Sequence, residues 1–241
     1  MSLTLQIKYS PILLMSRQND TSLEDLVDMR EKYEESLNEL IDSVIKLSEE
    51  VYHVIERSID VLNCEDVQEA RELIKHDTVI NDLENDINEQ VISLITKQQP
   101  IATDLRIIMA SIKIASELER MGDNAGNLAK IRRRVKFEDT VILSRLKTMG
   151  KLSLLMLYDL KDAYQQRDVN LTKEIIDRDQ DIDDLYKEIV NTTYLIDNDP
   201  FISGQAHLAA RYLERIGDHI TNIAENIYYF ITGDRYDKFL K

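Results

Sequence analysis

Oxygen-bearing side chains recur at helical spacing in two places in this chain. Glu119, Asp123 and Asn127 stand at i, i+4 and i+8, and Glu214, Asp218 and Asn222 repeat that spacing further on. On a helix such residues lie one above another on a single face. Like charges four residues apart destabilise a helix by roughly 0.2 to 0.5 kcal/mol and raise each other's pKa, so a repeated carboxylate pair calls for a compensating cation. An isolated E-x-x-x-D is ordinarily neutralised by a nearby base, here Arg120 or Arg215, as a surface salt bridge. Duplication favours the other answer, a metal ion held by oxygens alone. Such a donor set suits magnesium, manganese or iron, and bridging carboxylates permit clusters.

A cation needs ligands from more than one helix, and the sequence offers them. Asp77 and Asn81 are spaced i, i+4 beside Ile80, and Asp179 and Asp183 are spaced the same way beside Ile182. Each pair is therefore expected to face the helix that carries the stripe of its own half. Gly122 and Gly126 interrupt the first stripe and Gly217 the second. A helical glycine costs about 1 kcal/mol relative to alanine, so these positions imply a close approach by an ion or another helix.

The elements that position these residues follow from periodicity and breaks. Helical patterning runs from Met29 to about Asn63, restarts after Asn63-Cys64-Glu65-Asp66, and continues to about Lys97, where Gln98-Gln99-Pro100 ends it. A third helix is expected over about Ala102 to Arg134. Three more follow at about Glu138 to Gln166, Asp168 to Ile196 and Phe201 to Thr232. Short turns between long helices give up-down-up bundles. The apolar seams Ile114, Leu118, Met121, Ala125, Leu128 and Ala209, Leu213, Ile216, Ile220, Ile223, Ile227 should face the cores.

The second set of three repeats the first. His76-Asp77-Thr78-Val79-Ile80-Asn81-Asp82-Leu83 matches Arg178-Asp179-Gln180-Asp181-Ile182-Asp183-Asp184-Leu185, and Asp66-Val67 matches Asp168-Val169 at the same offset. Glu119-Arg120-Met121-Gly122-Asp123 recurs as Glu214-Arg215-Ile216-Gly217-Asp218, with an offset seven residues shorter. The loss falls near Pro100 and Pro200, so the second bundle should have the shorter hairpin. The fold expected is all-α, two tandem three-helix bundles over residues 29–135 and 136–241, preceded by an N-terminal extension, residues 1–28. Within that extension Asn19-Asp20-Thr21-Ser22 reads as a loop or helix-capping stretch.

Composition agrees. Of 241 residues only 6 are glycine and 3 proline, which suits long helices. A net charge of −15 would repel nucleic acid and anionic lipid, so no direct nucleic-acid contact is expected. One basic cluster, Lys130, Arg132, Arg133, Arg134 and Lys136, falls at an expected helix end, where it complements the helix dipole or offers a docking patch for an acidic partner. The single cysteine, Cys64, excludes an intramolecular disulfide and fits a reducing compartment. No stretch of ~18 apolar residues and no signal-peptide pattern occur, so a soluble cytoplasmic protein is expected.

The doubled block E-R-[MI]-G-D-x-[AI]-x-N-[LI]-A, with the middle-helix pattern D-x-x-I-[DN]-D-L, resembles the signature helices of the PhoU family of phosphate-uptake regulators. The resemblance runs from Met29 to the C-terminus. It implies two three-helix bundles related by pseudo-twofold symmetry, with multinuclear metal sites on Glu119 and Asp123 and on Glu214 and Asp218, supported by Asp77, Asp179 and Asp183. Asn81, Asn127 and Asn222 would add polar contacts. Iron, zinc, manganese and magnesium all remain open as the metal. Asn81 stands where the second half has Asp183, so the first site is expected to bind metal more weakly. His219, beside Asp218, reads as a partly exposed helix-face histidine.

The resemblance further implies a non-catalytic adaptor that couples a phosphate ABC transporter to a membrane sensor histidine kinase and represses phosphate-starvation signalling. It would sit at the inner face of the membrane through those partners, as a monomer or homo-oligomer. A ferritin-like storage protein or metalloenzyme is the alternative, but it needs a paired Glu-x-x-His motif and only Glu50 to His53 supplies that spacing. A phosphotransfer bundle is weaker still, because His53, His76, His207 and His219 share no repeated context. No phosphate-binding glycine loop or nucleophile triad is present.

Overall fold

The computed structural model describes residues 23–98, 100, 102–193 and 199–237. Within them the chain forms six long helices and no strand. Helix α1 spans Leu23–Asp60 and ends in a 3₁₀ turn, Val61–Asn63; α2 spans Gln68–Gln98 and α3 Ala102–Arg132. After a link over residues 133–139 come α4, Thr140–Gln166, α5, Val169–Thr193, and α6, Pro200–Thr232. Helix α1 starts earlier than Met29, so part of the N-terminal extension is helical. The stretch Asn19-Asp20-Thr21-Ser22 lies outside the described residues.

Four of the helix starts, those of α2, α4, α5 and α6, are set by aspartates. Asp66 Oδ1 accepts from the Gln68 amide, and its repeat Asp168 accepts from the Asn170 and Leu171 amides. Asp139 caps α4 and Asp199 caps α6, where Pro200 occupies the first turn. Such caps satisfy amides that have no partner inside the helix. Helix α4 ends at Arg167 in the left-handed conformation, and Asp168 follows at once as the next cap, giving the shortest turn between helices. Among the described residues α5 spans 25 residues against 31 for α2, and the stretch beyond Thr193, where the shorter hairpin is expected, lies in part outside them.

Each trio packs on itself, and the two trios meet through α1 against α4 and α3 against α6. Helices α2 and α5 therefore lie on the outside, each against its own bundle. The apolar seams of α3 and α6 are buried throughout, and one hydrophobic cluster runs through both halves. At the α1–α4 contact a Cβ on Gly150 would fall 2.7 Å from Ile59 Cγ1, so glycine is what lets these helices touch. No helix of the described residues is long and apolar enough to cross a membrane.

Candidate metal centre

The first carboxylate cluster forms where α2 meets α3. Ile80 of α2 packs against Gly122 of α3 so tightly that a Cβ there would lie 2.6 Å from Ile80 Cδ1. This brings the residues flanking Ile80 on α2 up to those flanking Gly122 on α3. Asp77 acts on Asp123 to raise its pKa, and its charge also acts on Glu119. The second cluster copies the first. Gly217 of α6 meets Ile182 of α5, where a Cβ would lie 2.9 Å from Ile182 Cδ1 and 3.1 Å from Asp179 Oδ1. Gly126 is different: a Cβ there would meet nothing within 4 Å, so it marks no close approach.

All four third-helix carboxylates are pushed above the ordinary carboxylate range. For Glu119 the causes are burial, then the charges of Asp123, Glu84 and Asp77. Burial and Asp77 raise Asp123. Glu214 is raised by burial and by Asp218, Asp183 and Asp179, partly offset by Arg211, and Asp218 by burial and Asp183. Each shift reports burial first and, after it, the negative charge of neighbouring carboxylates.

The two clusters differ in detail. Glu84 was not anticipated from the motif comparison, yet it faces Glu119 and restores the charge that Asn81 lacks relative to Asp183. Its spacing from Asp77, i+7 on the same helix face, was the available signal. In the second cluster Arg211, rather than Arg215, pairs with Glu214 Oε1, while Glu214 Oε2 is buried without a hydrogen-bond partner. In the first, Arg120 lies 3.8 Å from Glu117 and only weakly offsets Glu119.

Other candidates are engaged elsewhere. Asn127 accepts a bond from Lys130, and Asn222 donates to Glu117 Oε2 of α3 at 3.0 Å. His219 is buried, at 7% exposure, instead of lying partly exposed, with Nδ1 2.7 Å from the same Glu117 oxygen. The two bonds hold Glu117 below the ordinary carboxylate range despite burial, so this trio pins α3 to α6 across the two halves. Glu50, of the lone Glu-x-x-His spacing, bonds His76 of α2. Arg132 is buried and donates to the Cys64 carbonyl at 2.8 Å, and Lys136 pairs with Glu65. Two members of the basic cluster thus clamp the α1–α2 turn.

As the side chains stand, no three Asp, Glu, His or Cys among the described residues converge closely enough to enclose an ion. Asp123 and Asp218 are exposed as whole residues, their carboxyl groups being only partly desolvated by the packed neighbours, so these side chains have room to turn. An all-oxygen donor set with raised pKa values and an orphaned buried oxygen at Glu214 suits a hard cation. The residues present fit such a group.

A family model described as PhoU domain matches residues 44–131 and again 146–227, one copy per bundle. The chain is 36% identical over 214 residues to the phosphate-specific transport system accessory protein PhoU homolog of Clostridium acetobutylicum, covering 86% of this chain and 98% of that protein. The phosphate transport system regulatory protein PhoU from Streptococcus pneumoniae superposes with a TM-score of 0.80 at 28% identity, over 85% of this chain and 99% of that one. PhoU from Pseudomonas aeruginosa gives 0.78 at 26% identity, over 84% and 100%.

Proposed function

The chain belongs to the PhoU family, and we propose that it is a metal-binding, non-catalytic regulator of phosphate uptake. In this reading it acts as an adaptor between a phosphate ABC transporter and a sensor histidine kinase. It represses phosphate-starvation signalling when phosphate is abundant, from the cytoplasmic side of the membrane. The relatives' description as accessory proteins of a phosphate-specific transport system supports the transporter half of this reading.

The observation that carries the metal proposal is the duplicated cluster itself. Asp77, Glu84, Glu119 and Asp123 would hold a cation between α2 and α3, and Asp179, Asp183, Glu214 and Asp218 would hold one between α5 and α6. A bound cation supplies positive charge that neutralises these groups and ties each outer helix to the helix at the centre of the molecule. The remaining steps belong to the chain's own surfaces, which recognise two protein partners while no bond is made or broken.

Deleting the gene tests the regulatory reading. Phosphate-starvation reporters should rise in phosphate-rich medium and return to repression when the intact chain is restored. A reporter that stays repressed in the deletion strain contradicts the proposal.

A further inference from the structure

Helix α4 differs in kind from its repeat counterpart. From Thr140 to Tyr158 it contains no acidic residue, whereas Asn38 to Glu56 of α1, the matching stretch of the first repeat, contains Glu39, Asp42, Glu49, Glu50 and Glu56. The buried positions of the two stretches correspond, Leu40, Val44, Leu47, Val51 and Val54 against Ile142, Leu146, Met149, Ser153 and Met156. The difference therefore lies on the outward side, where packing does not dictate it.

That outward side is one continuous ridge. Ser144, Thr148, Lys151, Leu155 and Tyr158 advance by fours and threes, with Lys147 beside Thr148, and so share a face over about 20 Å. Leu155 is 52% and Tyr158 53% exposed. Lys147 and Lys151 make no ion pair among the described residues, in a protein whose net charge is −15. Beside the ridge a groove runs between α1 and α4, lined by residues that include Tyr52, His53, Leu157, Tyr158 and Lys161, with the one acidic lining residue, Glu49, paired to Lys161 at 3.2 Å.

We propose that this ridge and groove receive an acidic, amphipathic helical segment of the phosphate transporter, its apolar side against Leu155 and Tyr158 and its carboxylates against Lys147 and Lys151. The proposal rests on the regulator reading above and specifies the surface it uses. Helix-in-groove recognition places apolar anchors at intervals of three and four, the spacing this ridge presents, and charge complementarity selects the partner. A flat lipid surface cannot fill a groove, and the rest of this acidic molecule would be repelled by anionic headgroups. Residues 1–22 carry Lys8, Arg17 and only Asp20, the wrong sign for this ridge.

The test measures binding of the full chain to the intact transporter in nanodiscs of zwitterionic lipid. The wild-type chain is compared with Lys147→Glu/Lys151→Glu, with Leu155→Ser/Tyr158→Ser, and with Glu89→Lys, an exposed charge reversal on α2, as control. All these side chains lie outside the core, and circular dichroism checks that each variant stays helical. Both ridge variants should weaken binding roughly tenfold or more, the lysine pair with a reduced salt dependence, while the control binds as wild type. Equal binding by all four overturns the ridge and leaves the regulator reading intact; a wild-type chain that does not bind the transporter overturns both. Binding to phosphatidylglycerol vesicles that the lysine reversal abolishes, or self-association that either ridge variant abolishes, would assign the surface to lipid or to a second copy and overturn the proposal.

Discussion

At the scale of single residues, the molecule gathers carboxylates at eight positions in two clusters, and the pH dependence follows from the four whose pKa is raised. A carboxyl group whose pKa is raised by folding lowers stability at pH values above that raised pKa and has no effect below the unfolded value. Replacing Asp218 by asparagine in chelator should therefore stabilise the metal-free protein at pH 7, by about a few tenths of a kcal/mol from the lost i, i+4 repulsion alone. The gap should close as pH falls through the raised Asp218 pKa towards the ordinary value of 3.8. Urea denaturation across that range checks it, and a gap that widens at low pH contradicts it. Added manganese should invert the order at pH 7, because only the intact cluster gains from binding. The stripes themselves were legible in the sequence, since carboxylate spacing on a helix fixes which groups share a face. Glu84 and Arg211 were not, because each acts on a stripe carboxylate from outside the repeated motif, and His219 became interpretable only once α3 was seen to supply Glu117.

At the scale of helices, the glycines separate into two kinds. Gly122 and Gly217 set how closely α2 approaches α3 and α5 approaches α6, while a Cβ at Gly126 would meet nothing within 4 Å. Gly126→Ala should raise stability by about 1 kcal/mol through helix propensity. Gly122→Ala must displace the buried Ile80 and with it α2, so it should lower metal affinity at the first cluster beyond any change in stability. Denaturation and metal titration of the two variants side by side measure this contrast, and equal effects on both quantities would contradict it. The helix ends were read closely from sequence because aspartate caps and prolines mark them, as at Asp168 and at Asp199-Pro200. From sequence the basic run at the end of α3 reads as complementing that helix's own dipole or as a docking patch for an acidic partner. Arg132 instead reaches the carbonyl of Cys64, a contact made only when the bundle closes.

At the scale of the whole molecule, duplication explains both the architecture and the pair of sites. A helix pair with carboxylates on facing sides recurs in each half, and the halves join through the helices that carry the stripes, with Glu117, His219 and Asn222 bridging them. Two tandem bundles could be read from the repeat alone, because residue matches at a constant offset preserve helix order. Their mutual packing could not, since Gly150 against Ile59 is a contact between residues with no shared motif. The outward face of α4 departs from the duplication by lacking the acidic residues of the matching stretch of α1, which is why it is assigned to a partner. The central claim is that the duplicated clusters hold cations, and metal content tests it most directly. Protein purified without affinity tag or chelator should carry more than one equivalent of iron, zinc, manganese or magnesium per chain by inductively coupled plasma mass spectrometry. A variant with Glu119, Asp123, Glu214 and Asp218 all replaced by alanine should carry none while remaining helical. Wild-type protein that stays empty after incubation with each of these ions, or a variant that retains its metal, would contradict the claim.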